Sequence, residues 1–240
     1  MSTASSTRPS AARSAAGRPP AARLSARDRL LAAADELFYE EGIHTVGIDR
    51  VIEKAGVAKA SLYSTFGSKD ELVRAYLNGR HERRRERITR RLATCGHPRD
   101  RLLAVFDLQG AQFTEPGFHG CAFVNATAES APGSAAEQAT LESRGWMRTL
   151  FTDLARDAGV PDPGEFAGQL MLLYDGANIA ARIDRNTAVA ASARAAAATL
   201  LDAATATAPT TSTTGASDNR CRMAGTPNRV ARDTRDDQQK

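Results

Sequence analysis

The sequence predicts an all-α protein, with a small N-terminal helical domain followed by a larger C-terminal helical domain. Apolar residues recur at three- and four-residue spacing through most of residues 25–206, and no alternating strand pattern of useful length interrupts them. Gly, Pro and Ser separate the periodic segments at places typical of helix ends. These observations favour helices packed on helices.

The 240-residue chain has a basic part and a mildly acidic part. Residues 1–91 contain 18 Lys and Arg against 11 Asp and Glu, a net charge of +7, whereas residues 92–240 contain 14 against 17, a net charge of −3. A basic module joined to an acidic remainder indicates a part that faces a polyanion such as nucleic acid. A merely solvated charged face is the alternative that a motif has to exclude.

Both ends of the chain differ in composition from the middle. Residues 1–24 are rich in Ser, Ala, Pro and Arg, which predicts a disordered basic tail that is either inert or a source of non-specific attraction to phosphates. Residues 207–240 also lack the apolar residues of a core and predict a second disordered tail. No segment has the pattern of a membrane span or a secretory signal, so we expect a cytoplasmic protein.

The N-terminal domain, predicted over residues 25–72, begins with a helix that Ser25 caps and Gly42 ends. A second helix is predicted over Ile48–Ala55 and a third over Lys59–Phe66. A glycine between these two short helices permits a sharp turn.

A fourth helix begins after Ser68 and carries Asp70 and Glu71 in its first turn, where the helix dipole favours acids. It continues to about residue 94 through the charged segment HERRRERITRR and leads into the C-terminal domain. This second domain is predicted over residues 73–206, with further helices over Arg99–Phe113, Cys121–Ser130, Ala135–Ala158, Glu165–Arg185 and Thr187–Ala204.

Two short helices joined by a glycine turn and braced by a preceding helix form the helix-turn-helix arrangement. Its second helix enters the major groove of DNA, and the first lies across the backbone. Val57 and Leu62 are predicted to face inward, while the small Ala60 lets the helix approach base edges. Because few donors remain to read bases, we expect DNA shape to supply much of the specificity.

A long, spaced signature covers this region, in the segment LLAAADELFYEEGIHTVGIDRVIEKAGVAKASLYSTFGSKDELV. About a quarter of the chain, from Leu24 to about Arg80, thereby resembles the N-terminal DNA-binding domain of TetR-family transcriptional regulators. Ala60 departs from the pattern, since many members have Gly or another residue there. The positions that match the family are Phe38, Gly42, Thr45, Val46, Ile48, Ala55, Gly56, Val57, Leu62, Tyr63, Phe66, Lys69 and Leu72.

The resemblance implies that the outward face of the third helix and its surroundings contact double-stranded DNA. Tyr63 is also compatible with a half-buried core aromatic residue, so its exposure distinguishes the two interpretations. The implied DNA-binding residues are Thr45, Lys59, Ala60, Ser61, Tyr63, Ser64 and Lys69.

The resemblance also implies a homodimer whose C-terminal helices form the dimer interface and a pocket for an effector. The Ala-rich helices over Glu165–Arg185 and Thr187–Ala204 allow close approach across a two-fold axis, although this composition equally fits packing within one chain. The aromatic residues of this domain predict a largely apolar cavity and therefore a small, largely apolar effector. The candidate pocket residues are Phe106, Phe113, Phe118, Cys121, Phe123, Asn125, Trp146, Phe151, Met171 and Tyr174, with His119 as a second polar group in the segment PGFHGCAFVNATAE.

The function that follows is a ligand-responsive repressor acting as a homodimer on a pseudo-palindromic operator and released by its effector; activation is the alternative within the family. A non-specific architectural binder, driven by the arginine tail and the HERRRE segment, is a further alternative.

Neither an enzyme nor a metal or cofactor site is expected. The three cysteines are odd in number and widely spaced, which argues against a disulfide framework and a zinc site and leaves redox sensing by Cys121 as a minor alternative. A thiol beside a histidine can act as a nucleophile, but the spacing of His119 and Cys121 does not present the two groups to each other on a helix.

Overall fold

The computed structural model describes residues 24–206, which form helices joined by short loops. Residues 1–23 and 207–240 lie outside the described residues. These ranges contain both predicted tails, except for Leu24, and they include Cys221. The all-α class is confirmed, and each predicted helix is present within two or three residues of its expected ends. The helices of the described part are α1 (Ala26–Glu41), α2 (Ile48–Ala55), α3 (Lys59–Phe66), α4 (Lys69–Leu92), α5 (Pro98–Phe113), α6 (Ala122–Ala128), α7 (Ala135–Asp157), α8 (Pro163–Ile183) and α9 (Val189–Ala206).

The first four helices begin and end at local signals. The Ser25 hydroxyl accepts a hydrogen bond from the Asp28 N–H at 3.1 Å, and the Ser68 hydroxyl accepts one from the Glu71 N–H at 3.1 Å. Each bond satisfies one N–H that has no partner within its helix. Gly56 ends α2 in the left-handed region with φ of 60°, which costs a residue without Cβ little. The serines thus mark the starts of α1 and α4, and Gly56 provides the turn that leads into α3.

The first hydrophobic core lies between α1, α2, α3 and the first half of α4. Leu30, Leu62 and Leu72 are completely buried in it. Phe123 of α6 and Ala136 of α7 belong to the same core, so helices from the second half of the chain cover the N-terminal ones. The boundary predicted between residues 72 and 73 stays a prediction, because this core extends across it.

The second core lies between the end of α4 and helices α5, α7, α8 and α9. Phe106, Phe151 and Leu170 are buried at its centre, and Leu201 closes it from α9. The 24-residue α4 runs from the first core into the second. One continuous helix therefore joins the helix-turn-helix to the C-terminal helices.

Two further properties concern the described part of the chain as a whole. No helix between residues 24 and 206 is both long enough and apolar enough to cross a membrane. The same residues contain no group of His, Cys, Asp and Glu side chains arranged to hold a metal ion. Cys95 and Cys121 are half-buried free thiols.

Candidate nucleic-acid interface and the cavity behind it

Helix α3 has one buried face and one free face. Leu62 is completely buried, and Val57 and Phe66 pack at the edge of the first core. Tyr63 points outward with 46% of its surface exposed, which does not fit a core aromatic residue. Of the residues expected to contact DNA, Ser61 and Lys69 are half-buried, and the exposed ones are Thr45, Lys59, Ala60, Tyr63 and Ser64.

The polar groups of α3 are held by weak local partners. The Ser64 and Thr65 hydroxyls donate to the Ser61 carbonyl at 3.1 and 2.6 Å. Lys59 Nζ donates to Asp49 Oδ1 at 2.9 Å, and this bond raises the pKa of the Lys59 amine. Because solvent screens an exposed pair of this kind, Lys59 can exchange Asp49 for a phosphate at little cost.

The starts of the two short helices also face solvent without a side-chain cap. Neither Gly47 before α2 nor Ala58 before α3 provides a side-chain acceptor for the first-turn N–H groups. Such N–H groups and the positive end of the helix dipole favour an anion, and DNA phosphates are the anions that this surface would meet. The backbone thus adds phosphate donors that a count of Lys and Arg omits.

Two arginines of α1 brace the turn, and the sequence reasoning did not single them out. Arg29 Nη1 donates to the Gly56 carbonyl at 3.0 Å, and the Arg27 guanidinium lies 5.8 Å from the centre of the Phe66 ring. Both arginines stand in the first turn of a helix, where the dipole disfavours cations. That placement was a signal that they serve a contact outside their own helix.

Five arginines recur at helical spacing on α4 and form an arginine row, of which several members turn inward: Arg80, Arg83, Arg84, Arg87 and Arg90. The Arg80 guanidinium forms two bonds to the Asp35 carboxylate, at 2.9 and 3.1 Å, and stacks 3.7 Å above the Tyr39 ring. Arg83 donates to the same carboxylate at 2.6 Å. Arg87 donates to Glu115 at 3.1 Å. These ion pairs join α4 to α1 and to the segment after α5.

A half-open cavity of about 390 Å³ lies beside this arginine row. Arg84 also lines a smaller cavity of about 20 Å³, room for little more than one water molecule, together with Met147 and Met171. The larger cavity is lined by Asp35, Arg80, Arg83, Arg84, Glu86, Arg87, Arg90, Gln112, Glu115, Cys121, Ala122, Phe123, Tyr174 and Asn178.

The candidate pocket residues are divided between these cavities and the core. Cys121, Phe123 and Tyr174 line both cavities, and Met171 lines only the smaller one. The remaining candidates make other contacts: Phe106 stacks on Phe151, Phe113 touches Phe118, Trp146 packs on His81, and Asn125 donates to the His119 carbonyl.

The lining of the larger cavity is more charged than the sequence led us to expect. The prediction of a largely apolar cavity rested on aromatic residues, most of which fill the second core. The arginines of α4 occupy the wall in their place. The physical reason is that α4 packs its apolar residues against the cores and leaves its arginine row towards the gap between α1 and α5.

The segment before α6 connects this cavity region to the N-terminal helices. The Tyr39 hydroxyl donates to the Gly120 carbonyl at 3.0 Å and accepts from the His119 N–H at 3.1 Å. At the other end of α6, the Glu129 carboxylate accepts from the His44 N–H at 2.8 Å, in the loop between α1 and α2. The segments that flank α6 therefore contact α1 at one end and the loop after α1 at the other.

The same contacts show what the His119 and Cys121 pair does in this structure. The His119 ring lies edge-on against Tyr39, and its Nδ1 is 2.7 Å from the Gly117 carbonyl. Arg182 of α8 donates to the His119 carbonyl at 2.8 Å. These contacts hold the loop before α6 in place, which is a structural role.

Comparison with known proteins identifies the family that has this architecture. The model for bacterial regulatory proteins of the tetR family matches residues 30–76, the region of α1–α4 that holds the helix-turn-helix. A TetR-family transcriptional regulator of Streptomyces coelicolor has a similar structure, with a TM-score of 0.71 and 34% identity over 75% of this chain and 96% of that one. The chain belongs to the TetR family of transcriptional regulators. It is accordingly a DNA-binding regulator.

Two further relatives have described directions of regulation. The transcriptional repressor NemR of Escherichia coli is 29% identical over 67% of this chain and 85% of its own length. The structure of its reduced form has a TM-score of 0.66. The transcriptional activator FasR of Mycolicibacterium smegmatis is 29% identical over 56% of this chain, and the match spans 61% of the length of FasR. Relatives of this TetR-family chain thus include both a repressor and an activator.

Proposed function

We propose that this TetR-family regulator is a ligand-responsive repressor that binds a pseudo-palindromic operator as a homodimer and is released by a small effector. The observation that supports this most directly is the pairing of two sites through α4. The outward face of α3 is free for DNA, and a cavity of small-molecule size lies where α4 meets α1. A ligand that alters this junction changes the orientation of α3.

The proposal assigns roles to two parts of the chain. Residues 25–72, with α4 continuing to about residue 94, act as the DNA-binding domain, and residues 73–206 act as the effector and dimerisation domain. The DNA contacts are assigned to Thr45, Lys59, Ala60, Ser61, Tyr63, Ser64 and Lys69.

A row of exposed apolar residues on α8 supports the homodimer. Leu172, Ile179 and Ile183 are 76%, 48% and 71% exposed, and their spacing of seven and four residues places them on one face of the helix. Gly176 lies on this face as well and is exposed. A second copy of the chain would remove this row from water and permit close helix contact. The dimer would then place its two α3 helices about 34–36 Å apart, one turn of the duplex.

Operator binding is tested with the purified chain and DNA from the intergenic region beside its own gene. We expect a gel shift at one site with two half-sites, which survives excess unrelated DNA. Cell extract or a metabolite library should then supply a compound that releases this site. Binding without site preference would favour the architectural alternative, and site-specific binding that recruits polymerase would favour an activator.

The dimer is tested by the mass of the particle in solution. Leu172→Glu combined with Ile179→Glu should yield monomers in light scattering and abolish the specific gel shift. Leu141→Glu, on an exposed apolar residue of α7 that is 62% exposed, is the matched control and should remain dimeric. A wild-type chain that is monomeric at micromolar concentration contradicts the homodimer.

A further inference from the structure

We propose that the effector carries a carboxylate group attached to a short apolar body, and that Arg84 is the principal counter-ion of that carboxylate. This inference rests on the proposed effector-responsive function and names the chemical class of ligand for the same cavity. It is supported by the distribution of charge in the lining, by the surroundings of Arg84 and by the apolar residues of the same lining.

The charges of the lining are not balanced. Five arginines and three acidic residues line the 390 Å³ cavity. Asp35 binds Arg80 and Arg83, and the Glu115 carboxylate binds Arg87. Among residues 24–206, Arg84 and Arg90 have no carboxylate within ion-pair distance, so the cavity has an excess of positive charge.

Arg84 differs from Arg90 because it is partly buried. Its guanidinium donates to the Ser143 hydroxyl and lies 4.8 Å from the centre of the Phe123 ring. Its Nε is buried without a hydrogen-bond partner, as is the Nε of Arg87 on the same row. A partly desolvated guanidinium with an unused donor is a strong attractor for an oxyanion, because the planar fork of Arg matches a carboxylate.

The apolar part of the lining is suited to a carbon skeleton. Phe123, Tyr174 and Ala122 contribute an apolar surface within the same cavity. Arg84 also lines the smaller cavity, together with Met171. A ligand that matches both parts of the lining has an anionic end and an apolar body, whereas a neutral apolar compound would leave Arg84 desolvated without a counter-ion.

Binding of such an acid would reach the DNA-binding helices through Asp35. Arg80 and Arg83 hold this α1 carboxylate at one edge of the cavity. The carboxylate of the bound acid would compete with the Asp35 carboxylate for these guanidinium groups. The competition loosens α1 from α4, and the two helices carry the helix-turn-helix.

The test uses pairs of compounds that share a shape and differ in charge: benzoate and benzamide, phenylacetate and phenylacetamide, hexanoate and hexanamide. Binding to the full chain without DNA is measured by calorimetry and by the fluorescence of its single tryptophan, Trp146, which packs on His81 one turn before Arg84. We expect at least one acid to bind about tenfold or more tightly than its amide, because the carboxylate gains charge-assisted hydrogen bonds.

Variants of Arg84 distinguish a ligand contact from a structural role. Arg84→Met should bring the affinities of acid and amide to within about twofold of each other, and Arg84→Lys should keep part of the preference. Arg85→Met is the matched control, since Arg85 is an exposed residue of the same helix that is paired with Glu82 and does not line the cavity, and the acid preference of this variant should stay unchanged. A purely structural Arg84 would alter stability and leave the preference intact, which overturns the proposal.

The remaining outcomes are also decisive. Amides that bind as tightly as acids to the wild-type chain, or a panel in which no acid binds at millimolar concentration, overturn the inference. Inorganic phosphate that binds as tightly as the best acid overturns the assignment of a carboxylate with an apolar body. Operator binding is measured separately, so a neutral compound that releases the operator would uphold the repressor function while it refutes the acidic effector.

Discussion

The outward face of α3 and the arginine row of α4 are two cationic regions of the basic N-terminal part. They differ in whether their polar and charged groups face solvent or other parts of the protein. Helix α3 exposes a lysine and hydroxyl groups, and its first-turn backbone N–H groups have no side-chain cap. The row on α4 has several arginines, but Arg80, Arg84 and Arg87 are partly buried and line a cavity. The region with more charge is thus the one turned away from the helix-turn-helix surface.

This difference shows why a count of charges does not locate a nucleic-acid surface. An arginine paired with a carboxylate of the same molecule is largely neutralised as a partner for a phosphate. The HERRRE segment, which favoured a non-specific binder when counted by residue type, largely serves contacts between helices. Binding to DNA is expected to depend on the few exposed groups of α3, and this expectation is open to test.

The largest loss of operator affinity is expected from the substitution of an exposed residue of α3. Tyr63→Ala should lower operator affinity by about 1–3 kcal/mol per half-site, because the exposed ring and hydroxyl would be lost from the DNA surface. The free energy of unfolding should change by less than about 0.5 kcal/mol, since the ring is outside the core. Fluorescence anisotropy with an operator duplex and urea unfolding measure the two quantities.

The control for this variant is Arg90→Ala, on the exposed end of the arginine row. It removes a full charge from the same basic part of the chain, yet operator affinity should change by less than about twofold. If Arg90→Ala weakened operator binding more than Tyr63→Ala did, the comparison between the two regions would be reversed.

The next effect concerns the ion pairs of the arginine row. Asp35→Asn leaves Arg80 and Arg83 without their carboxylate, so the free energy of unfolding should fall by about 1–3 kcal/mol in urea titrations. The exposed pair formed by Glu82 provides the control, and Glu82→Gln should cost less than about 0.5 kcal/mol. Equal losses in both variants would show that the Asp35 cluster is no more than a solvated surface.

The fold could be predicted from the sequence to nearly residue accuracy because its signals are local. Ser25, Ser68 and Gly56 determine helix ends through contacts within a few residues, and α2 and α3 begin and end where predicted. These statements require no knowledge of which helices meet. The exposure of Tyr63, by contrast, decided between two interpretations that the sequence had left open.

The cavity could not be predicted in the same way because it depends on how distant helices meet. The aromatic residues of the C-terminal helices suggested an apolar pocket, but Phe106 and Phe151 stack on each other in the core. The inward direction of Arg80 and Arg87 depends on their partners Asp35, which lies 45 residues before Arg80, and Glu115. A signal was present nonetheless, since Arg80, Arg83, Arg84, Arg87 and Arg90 recur at helical spacing along one row.

A smaller effect is expected where α6 meets the α1–α2 loop. Glu129→Gln replaces the charged acceptor of the His44 N–H by a neutral one, so unfolding should become easier by about 0.5–1.5 kcal/mol. If α6 transmits ligand binding to the loop, the variant should also reduce the ratio between operator affinities measured without and with effector. Glu137→Gln, an acidic residue at the start of α7, is the control for that ratio. A ratio equal to that of the wild-type chain would remove this contact from the transmission route.

The smallest change in stability is expected from His81, which lies on α4 between Arg80 and Arg83. Its ring packs on Trp146 with Nδ1 3.1 Å from the Ser143 hydroxyl, and burial, followed by the nearby Arg84 charge, lowers its pKa below the ordinary 6.5. The unfolded chain therefore takes up a proton at a higher pH than the folded chain. The free energy of unfolding should fall as pH drops below about 6.5, with no contribution from this group well above that pH.

His81→Gln tests this dependence because it removes the proton-binding ring. In urea titrations at pH 7.5 and 5.5, the wild-type chain should lose stability relative to the variant as the pH falls. The change is expected to remain below about 1 kcal/mol, since the ring is only partly buried. A difference between the two proteins that is the same at both pH values would show that protonation of His81 is not coupled to folding, and that the arginine row tolerates another positive charge beside it.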